Sequence, residues 1–190
     1  MKDEVVVVSG LPRSGTSMMM RRLAAGGVPI LTDGERAADE SNPEGYFEYE
    51  RVKTLEKDAS WLPLARGKAV KVVSELLRHL PAGPDYRVIF MMRRIEEVVV
   101  SQSRMLTRRG LATPDPAQDE RMRGLLLQSL DRVTRWLETA PGFLVLYVSY
   151  NQVFAKGREH AERVNGFLGG GLDVARMTEV VNPALYRERR

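Results

Sequence analysis

The segment 5–20, VVVVSGLPRSGTSMMM, gathers two glycines, three hydroxyls and one cation into the stretch from Gly10 to Ser17. Glycines at Gly10 and Gly15 allow a tight turn, and the helix expected after it offers free backbone N–H groups and a positive dipole end to an anion. Their spacing is that of the phosphate-binding loop G-x-x-x-x-G-K-[ST], but Thr16 stands where that loop carries lysine. The cation inside the loop is Arg13, flanked by Pro12 and by the hydroxyls of Ser14, Thr16 and Ser17. Magnesium-dependent use of a nucleoside triphosphate relies on the missing lysine to hold the β- and γ-phosphates. It also needs an acid after a neighbouring strand, and Asp33 alone is placed for that.

A second cationic point lies further along. The run VIFMM ends in Arg93 and Arg94, and Ser101 follows Arg93 by eight residues. A cation at the start of a helix opposes the helix dipole, so Arg93 there points to an anionic ligand. The proton acceptors on offer are carboxylates of the segment 33–50, DGERAADESNPEGYFEYE. Glu35 leads, Glu48 is the alternative and Glu44 follows, while His79 reads better as a helix-end residue. This segment holds seven acids against one arginine. An acidic segment beside an anion site suggests a pocket that favours a neutral or cationic second substrate; Tyr46, Phe47, Tyr49 and Trp61 are expected either to wall it or to pack in the core.

These groups need a scaffold that brings distant loops together. Val5–Val8 is a β-branched run suited to a strand covered on both faces, and a helix follows from Thr16 to about Ala25, stopped by Gly26-Gly27. Further strands are expected at 28–31 (VPIL), 69–73 (AVKVV), 86–92 (YRVIFMM) and, as a buried strand, 143–148 (FLVLYV). Helices are expected over 96–109, from Asp115-Pro116 onward, and over about 157–168 before three glycines. Strands alternating with helices give an α/β fold: three layers, doubly wound, with a mostly parallel sheet and a topology like that of P-loop NTPases. Ligands of such sheets bind at the carboxyl ends of the strands. Ser9–Ser17, Asp33–Glu35 and Arg93–Arg94 all fall at such ends.

Composition narrows the function classes. The 190 residues suit a single domain over 1–190. With 43% hydrophobic and 28% charged residues the chain reads as a globular protein. No apolar run approaches the roughly 18 residues that cross a bilayer, and the N-terminus is not a signal peptide, so a cytoplasmic location without membrane contact is expected. There is no cysteine and there are two histidines, which speaks against a zinc site. Residues 1–60 carry 8 Lys/Arg against 11 Asp/Glu, and residues 61–190 carry 21 against 14. A basic body suits an anionic ligand, but no basic block is interleaved with aromatics, and nucleic acid is not expected.

The run GLPRSGTS resembles the 5′-phosphosulfate loop of the sulfotransferase family, whose forms are P-K-S-G-T-[TS] and G-x-P-R-S-G-T-[TS]. The matching positions are Gly10, Pro12, Arg13, Ser14, Gly15, Thr16 and Ser17. A second family element, R-x-P-x-[DE]-x-x-x-S, resembles the stretch from Arg93 to Ser101, with Ile95 in place of proline and Glu97 at the acidic position. A third, LYVSYNQVFAKGREHAERVNGFLGG, resembles the late strand, turn and FLG helix end, with Asn151-Gln152 where relatives have Glu-Asp. The similarity covers about Val5 to Leu168 and is nearest to small bacterial-type members. The C-terminal G-x-x-G-x-x-K loop of larger cytosolic members has no counterpart here.

The resemblance implies transfer of a sulfuryl group from 3′-phosphoadenosine 5′-phosphosulfate (PAPS) to a hydroxyl or amine of a small-molecule acceptor, leaving 3′-phosphoadenosine 5′-phosphate (PAP), with no metal. It implies that Arg13 assists departure of the bridging oxygen and that Arg93 and Ser101 hold the 3′-phosphate. A glutamate after the second strand serves as base in some branches, which favours Glu35. Two other readings remain open: a P-loop small-molecule kinase, and a non-catalytic nucleotide-binding protein.

Overall fold

The computed structural model describes residues 4–40, 42–182, 184 and 186. Strands β1 (Val5–Gly10), β2 (Ala69–Lys71), β3 (Tyr86–Met92) and β4 (Phe143–Ser149) form one sheet in the order β2-β1-β3-β4. Every pairing is parallel, with Val7 beside both Val70 and Val88. Strand order therefore reverses direction between β1 and β3, which opens a crevice at their carboxyl ends.

The valine run of β1 is buried along its whole length because both faces of the sheet are covered. Side chains of a strand alternate between faces, and the core divides accordingly. Val5 and Val7 pack with Trp61, Val70, Val88 and Phe90 on one face. Val6 and Val8 pack with Met19, Met20, Leu23 and Ile89 on the other. The second face is roofed by α1 (Thr16–Ala25), α5 (Gly157–Phe167) and α6 (Val174–Glu179). The first is roofed by α3 (Pro116–Leu137) and by short 3-10 turns at Glu50–Thr54, Leu62–Ala65 and Ser74–His79. Helix α2 (Ile95–Arg108) follows β3, and the single turn α4 (Tyr150–Val153) follows β4. The Asp115 carboxylate caps α3, accepting from the Ala117 N–H at 2.9 Å.

Three expectations change. VPIL is not a strand: it touches the sheet through one parallel bridge, Ile30 to Ala69, because Pro29 removes a donor where a ladder would continue. The strand at 69–73 ends at Lys71. β4 is an edge strand and not a buried one, with Leu144 56% exposed and Tyr147 40% exposed. α6 escapes periodicity because its six residues bury one large side chain, Met177.

Candidate active site

The loop leaving β1 is shaped by three residues with positive φ, Gly10 at 143°, Arg13 at 69° and Gly15 at 100°. A Cβ at Gly10 would lie 2.6 Å from the Met91 carbonyl oxygen, and one at Gly15 would lie 2.2 Å from Cδ2 of Tyr150. Both glycines thus permit backbone contact that no other residue allows. Arg13 adopts a left-handed conformation that costs energy for a side-chain-bearing residue. It is held there from both ends: Arg93 Nη1 donates to the Arg13 carbonyl at 3.0 Å, and Arg13 Nε donates to Ser101 Oγ at 3.0 Å. Burial lowers the Arg13 pKa, yet a guanidinium remains charged at any ordinary pH.

Gly10, Pro12, Arg13, Gly15, Thr16 and Ser17 all line a cleft of about 440 Å³, within the usual range for small-molecule sites. Ser14 does not; its side chain is tucked beneath the loop at 2% exposure, and its hydroxyl has no hydrogen-bond partner among the described residues. Ser17 Oγ donates to the Tyr46 carbonyl at 3.2 Å and accepts from Asn42 Nδ2 at 3.0 Å, joining the loop to the segment 42–46.

Arg93 and Ser101 meet the loop from the end of β3 and from α2. The Arg93 side chain is 7% exposed, donates through Nε to Glu97 Oε2 at 2.9 Å, and stacks 4.4 Å from the Tyr150 ring centre. Glu97 is fully buried and also accepts from Asn151 Nδ2 at 2.7 Å and from the Tyr186 hydroxyl at 2.9 Å. Asn151 therefore acts as a donor to Glu97, while its own Oδ1 accepts from the Arg94 N–H at 3.1 Å.

The opposite wall contains a cation that sequence reasoning missed. Lys71 closes β2 at 8% exposure; its Nζ donates to the Tyr46 carbonyl at 2.5 Å and to Glu48 Oε1 at 3.2 Å. A lysine inside the apolar run AVKVV was the available signal, since lysine is almost never buried without a partner. Arg36 Nη1 donates to the same Glu48 oxygen at 2.7 Å, and its guanidinium lies 3.4 Å from the Tyr46 ring centre. Burial alone would push the Glu48 carboxyl up, but Lys71 and Arg36 together outweigh it and hold the group below its ordinary value. Burial likewise lowers Lys71, against the pull of Glu48.

The other candidate bases lie elsewhere. Glu35 is exposed and does not line the cleft; its N–H donates to Asp33 Oδ1 at 3.1 Å. The other oxygen of Asp33 accepts from the Glu50 N–H at 2.6 Å, and Asp33 too stands outside the cleft. Glu44 lines it but is ion-paired with Arg21. His79 stands outside, accepting from Arg78. Nor does the acidic segment make the cleft acidic. Asp33 accepts from backbone N–H groups, Asp39 from the Tyr46 hydroxyl, and Glu44, Glu48 and Glu50 pair with cations, while Glu35 is exposed outside the cleft. Among the described residues no group of three His, Cys, Asp or Glu is placed to hold a metal ion, and no helix is long and apolar enough to cross a membrane.

An all-parallel sheet flanked by helices, with a glycine-cornered loop between its first strand and first helix, defines an α/β protein of the P-loop NTPase-like fold. Residues 3–189 match the family model for the sulfotransferase domain, and the chain belongs to that family. No curated protein matches the sequence. Among solved structures, mouse sulfotransferase SULT7A1 complexed with PAP superposes with a TM-score of 0.58 at 14% identity, covering 94% of this chain and 63% of that one. The sulfotransferase domain of the Synechococcus PCC 7002 olefin synthase gives 0.57 at 17% identity, over 100% and 85% of the two chains. A sulfotransferase from Alicyclobacillus acidocaldarius gives 0.58 at 16%, over 96% and 87%. At these identities the likeness is one of fold.

Proposed function

We propose that this protein transfers a sulfuryl group from PAPS to a hydroxyl, or an amine, of a small acceptor. The observation that carries the reading is the joining of Arg13 to Ser101 at 3.0 Å. It brings the cation of the first loop and a hydroxyl of α2 to one point at the β1–β3 crevice, where a 5′-phosphosulfate and a 3′-phosphate belonging to one nucleotide would both be reached. The acceptor oxygen attacks sulfur, the bond from sulfur to the bridging oxygen breaks, and the electron pair leaves with PAP. Arg13 and Lys71 stabilise that developing anion, the loop N–H groups with Thr16 and Ser17 hold the 5′ end, and Arg93 with Ser101 hold the 3′-phosphate. Glu48 receives the acceptor proton: it lines the cleft, is kept ionised by its cationic neighbours, and is better placed than Glu35.

A kinase reading lacks support from Asp33, whose carboxylate is occupied by backbone outside the cleft. Calorimetric titration with PAP and with ADP, both without divalent metal, tests the proposal. PAP is expected to bind at least ten-fold tighter; equal affinities would overturn it.

A further inference from the structure

The Arg93 guanidinium is held at two of its nitrogens and on one face. Its Nε donates to Glu97 Oε2 at 2.9 Å, its Nη1 donates to the Arg13 carbonyl at 3.0 Å, and its central carbon lies 4.4 Å from the Tyr150 ring centre. A guanidinium carries five N–H groups. Three are therefore left, one on Nη1 and two on Nη2, on a residue that lines the cleft.

The pairing with Glu97 uses one nitrogen and one oxygen, although an arginine and a carboxylate ordinarily favour two parallel hydrogen bonds. The reason lies in the other carboxylate oxygen. Glu97 Oε1 accepts from Asn151 Nδ2 at 2.7 Å and from the Tyr186 hydroxyl at 2.9 Å. Asn151 Nδ2 also donates to the Tyr186 hydroxyl oxygen at 2.5 Å, so that hydroxyl spends its one proton on Glu97. The Tyr186 ring is fixed by packing: it stacks on Phe154 with centres 4.7 Å apart and meets Tyr150 edge-on at 5.4 Å. With Oε1 pinned from two sides, the fully buried carboxylate offers Arg93 only Oε2. Released from Tyr186, it is free to turn and to take Nη2 as well, in competition with any anion in the cleft.

Resting on the sulfotransferase reading, we infer that Tyr186 is a positioning residue of the donor site. It touches no reacting atom. Its hydroxyl, 89 residues from Glu97 in sequence, keeps that carboxylate on Nε alone and so leaves Nη2 of Arg93 for the 3′-phosphate.

The test titrates the full chain by calorimetry, without divalent metal, with PAP and with AMP, which differ by the 3′-phosphate alone. Tyr186→Phe keeps the ring and removes the hydroxyl. Its preference for PAP over AMP is expected to fall about three- to ten-fold, the size of one net hydrogen bond, with AMP affinity within about two-fold of wild type. In a Glu97→Gln background the same substitution is expected to change the preference by less than about two-fold, because the hydroxyl acts through the carboxylate. Tyr186→Phe alone decides the matter should Glu97→Gln fold poorly. A preference untouched by Tyr186→Phe overturns the inference, whether or not the melting temperature falls. So does an equal loss in both backgrounds, or a parallel loss of PAP and AMP affinity, which would place Tyr186 against the nucleotide itself. A wild type that binds PAP no tighter than AMP would instead defeat the sulfotransferase reading.

Discussion

Arg13 Nε and Ser101 Oγ, 88 residues apart in sequence, meet at 3.0 Å. Loop and helix are thereby set in register before any ligand arrives, and such preorganisation is what makes a charged donor effective in a reacting site. The two partners differ in what they do. In the proposed mechanism, Arg13→Ala removes the cation at the bridging oxygen and is expected to lower kcat about 10²–10³-fold. Ser101→Ala removes one hydrogen bond and is expected to cost about 0.5–1.5 kcal/mol, seen mainly as weaker PAP binding. Single-turnover rates with PAPS, set beside PAP titrations, check both; a larger kcat loss for Ser101→Ala than for Arg13→Ala would refute these roles.

Arg93 has a second partner, the fully buried carboxylate of Glu97. Arg93→Ala therefore strands a buried charge as well as removing the ligand proposed for the 3′-phosphate. Breaking such a pair typically costs about 3–5 kcal/mol, and the low end is expected because Asn151 and Tyr186 still donate to Glu97. Adding Glu97→Gln should restore much of the stability but none of the PAP affinity. Chemical denaturation and PAP calorimetry on both single variants and the double variant separate the two effects. Recovery of PAP affinity in the double variant would show that Arg93 matters only for folding.

The glycine-cornered loop after β1 and the pairing of Arg93 and Ser101 with it were legible in the sequence because each motif is made of residues close together in the chain. Lys71 and Glu48 were harder. They are 23 residues apart and meet only because the segment 42–50 folds back over the end of β2, held by Ser17 and Lys71 on the Tyr46 carbonyl. Periodicity carries no record of such a fold-back. Glu35 was attractive for its place after an expected strand, but VPIL forms one bridge and the chain leaves it toward solvent. The strand order was legible only as a class, since the reversal between β1 and β3 depends on which crossovers pass over which face.

The position of Glu48 among Lys71 and Arg36 has a consequence for acid stability. Its folded-state pKa lies below the ordinary glutamate value of 4.5. A lowered carboxylate pKa stabilises the fold above the unfolded value, and that contribution is lost as pH falls through the folded one. Wild type should thus lose stability more steeply than Glu48→Gln as pH falls below about 4.5. Melting temperatures of the two proteins from pH 7 to pH 3 provide the comparison, and parallel curves would contradict the arrangement. Glu48→Gln should also lose sulfuryl transfer at pH 7 while keeping PAP binding within a few-fold.

Two glycines make opposite demands on the same substitution. Gly15 has φ at 100° with the Tyr150 ring where a Cβ would go, 2.2 Å from Cδ2. Gly15→Ala meets left-handed strain of about 1–2 kcal/mol and must also displace the ring that stacks on Arg93. A total loss of at least about 3 kcal/mol is expected, of the size seen for overpacked cores, together with loss of PAP binding. Gly124 lies inside α3, and a Cβ there would find nothing within 4 Å. Gly124→Ala should accordingly stabilise the protein by about 0.5–1 kcal/mol, the helix-propensity difference, with PAP affinity unchanged. Urea denaturation of both variants decides the matter. Equal effects would mean that the donor loop tolerates a side chain at Gly15, and that the contact with Tyr150 does not fix its shape.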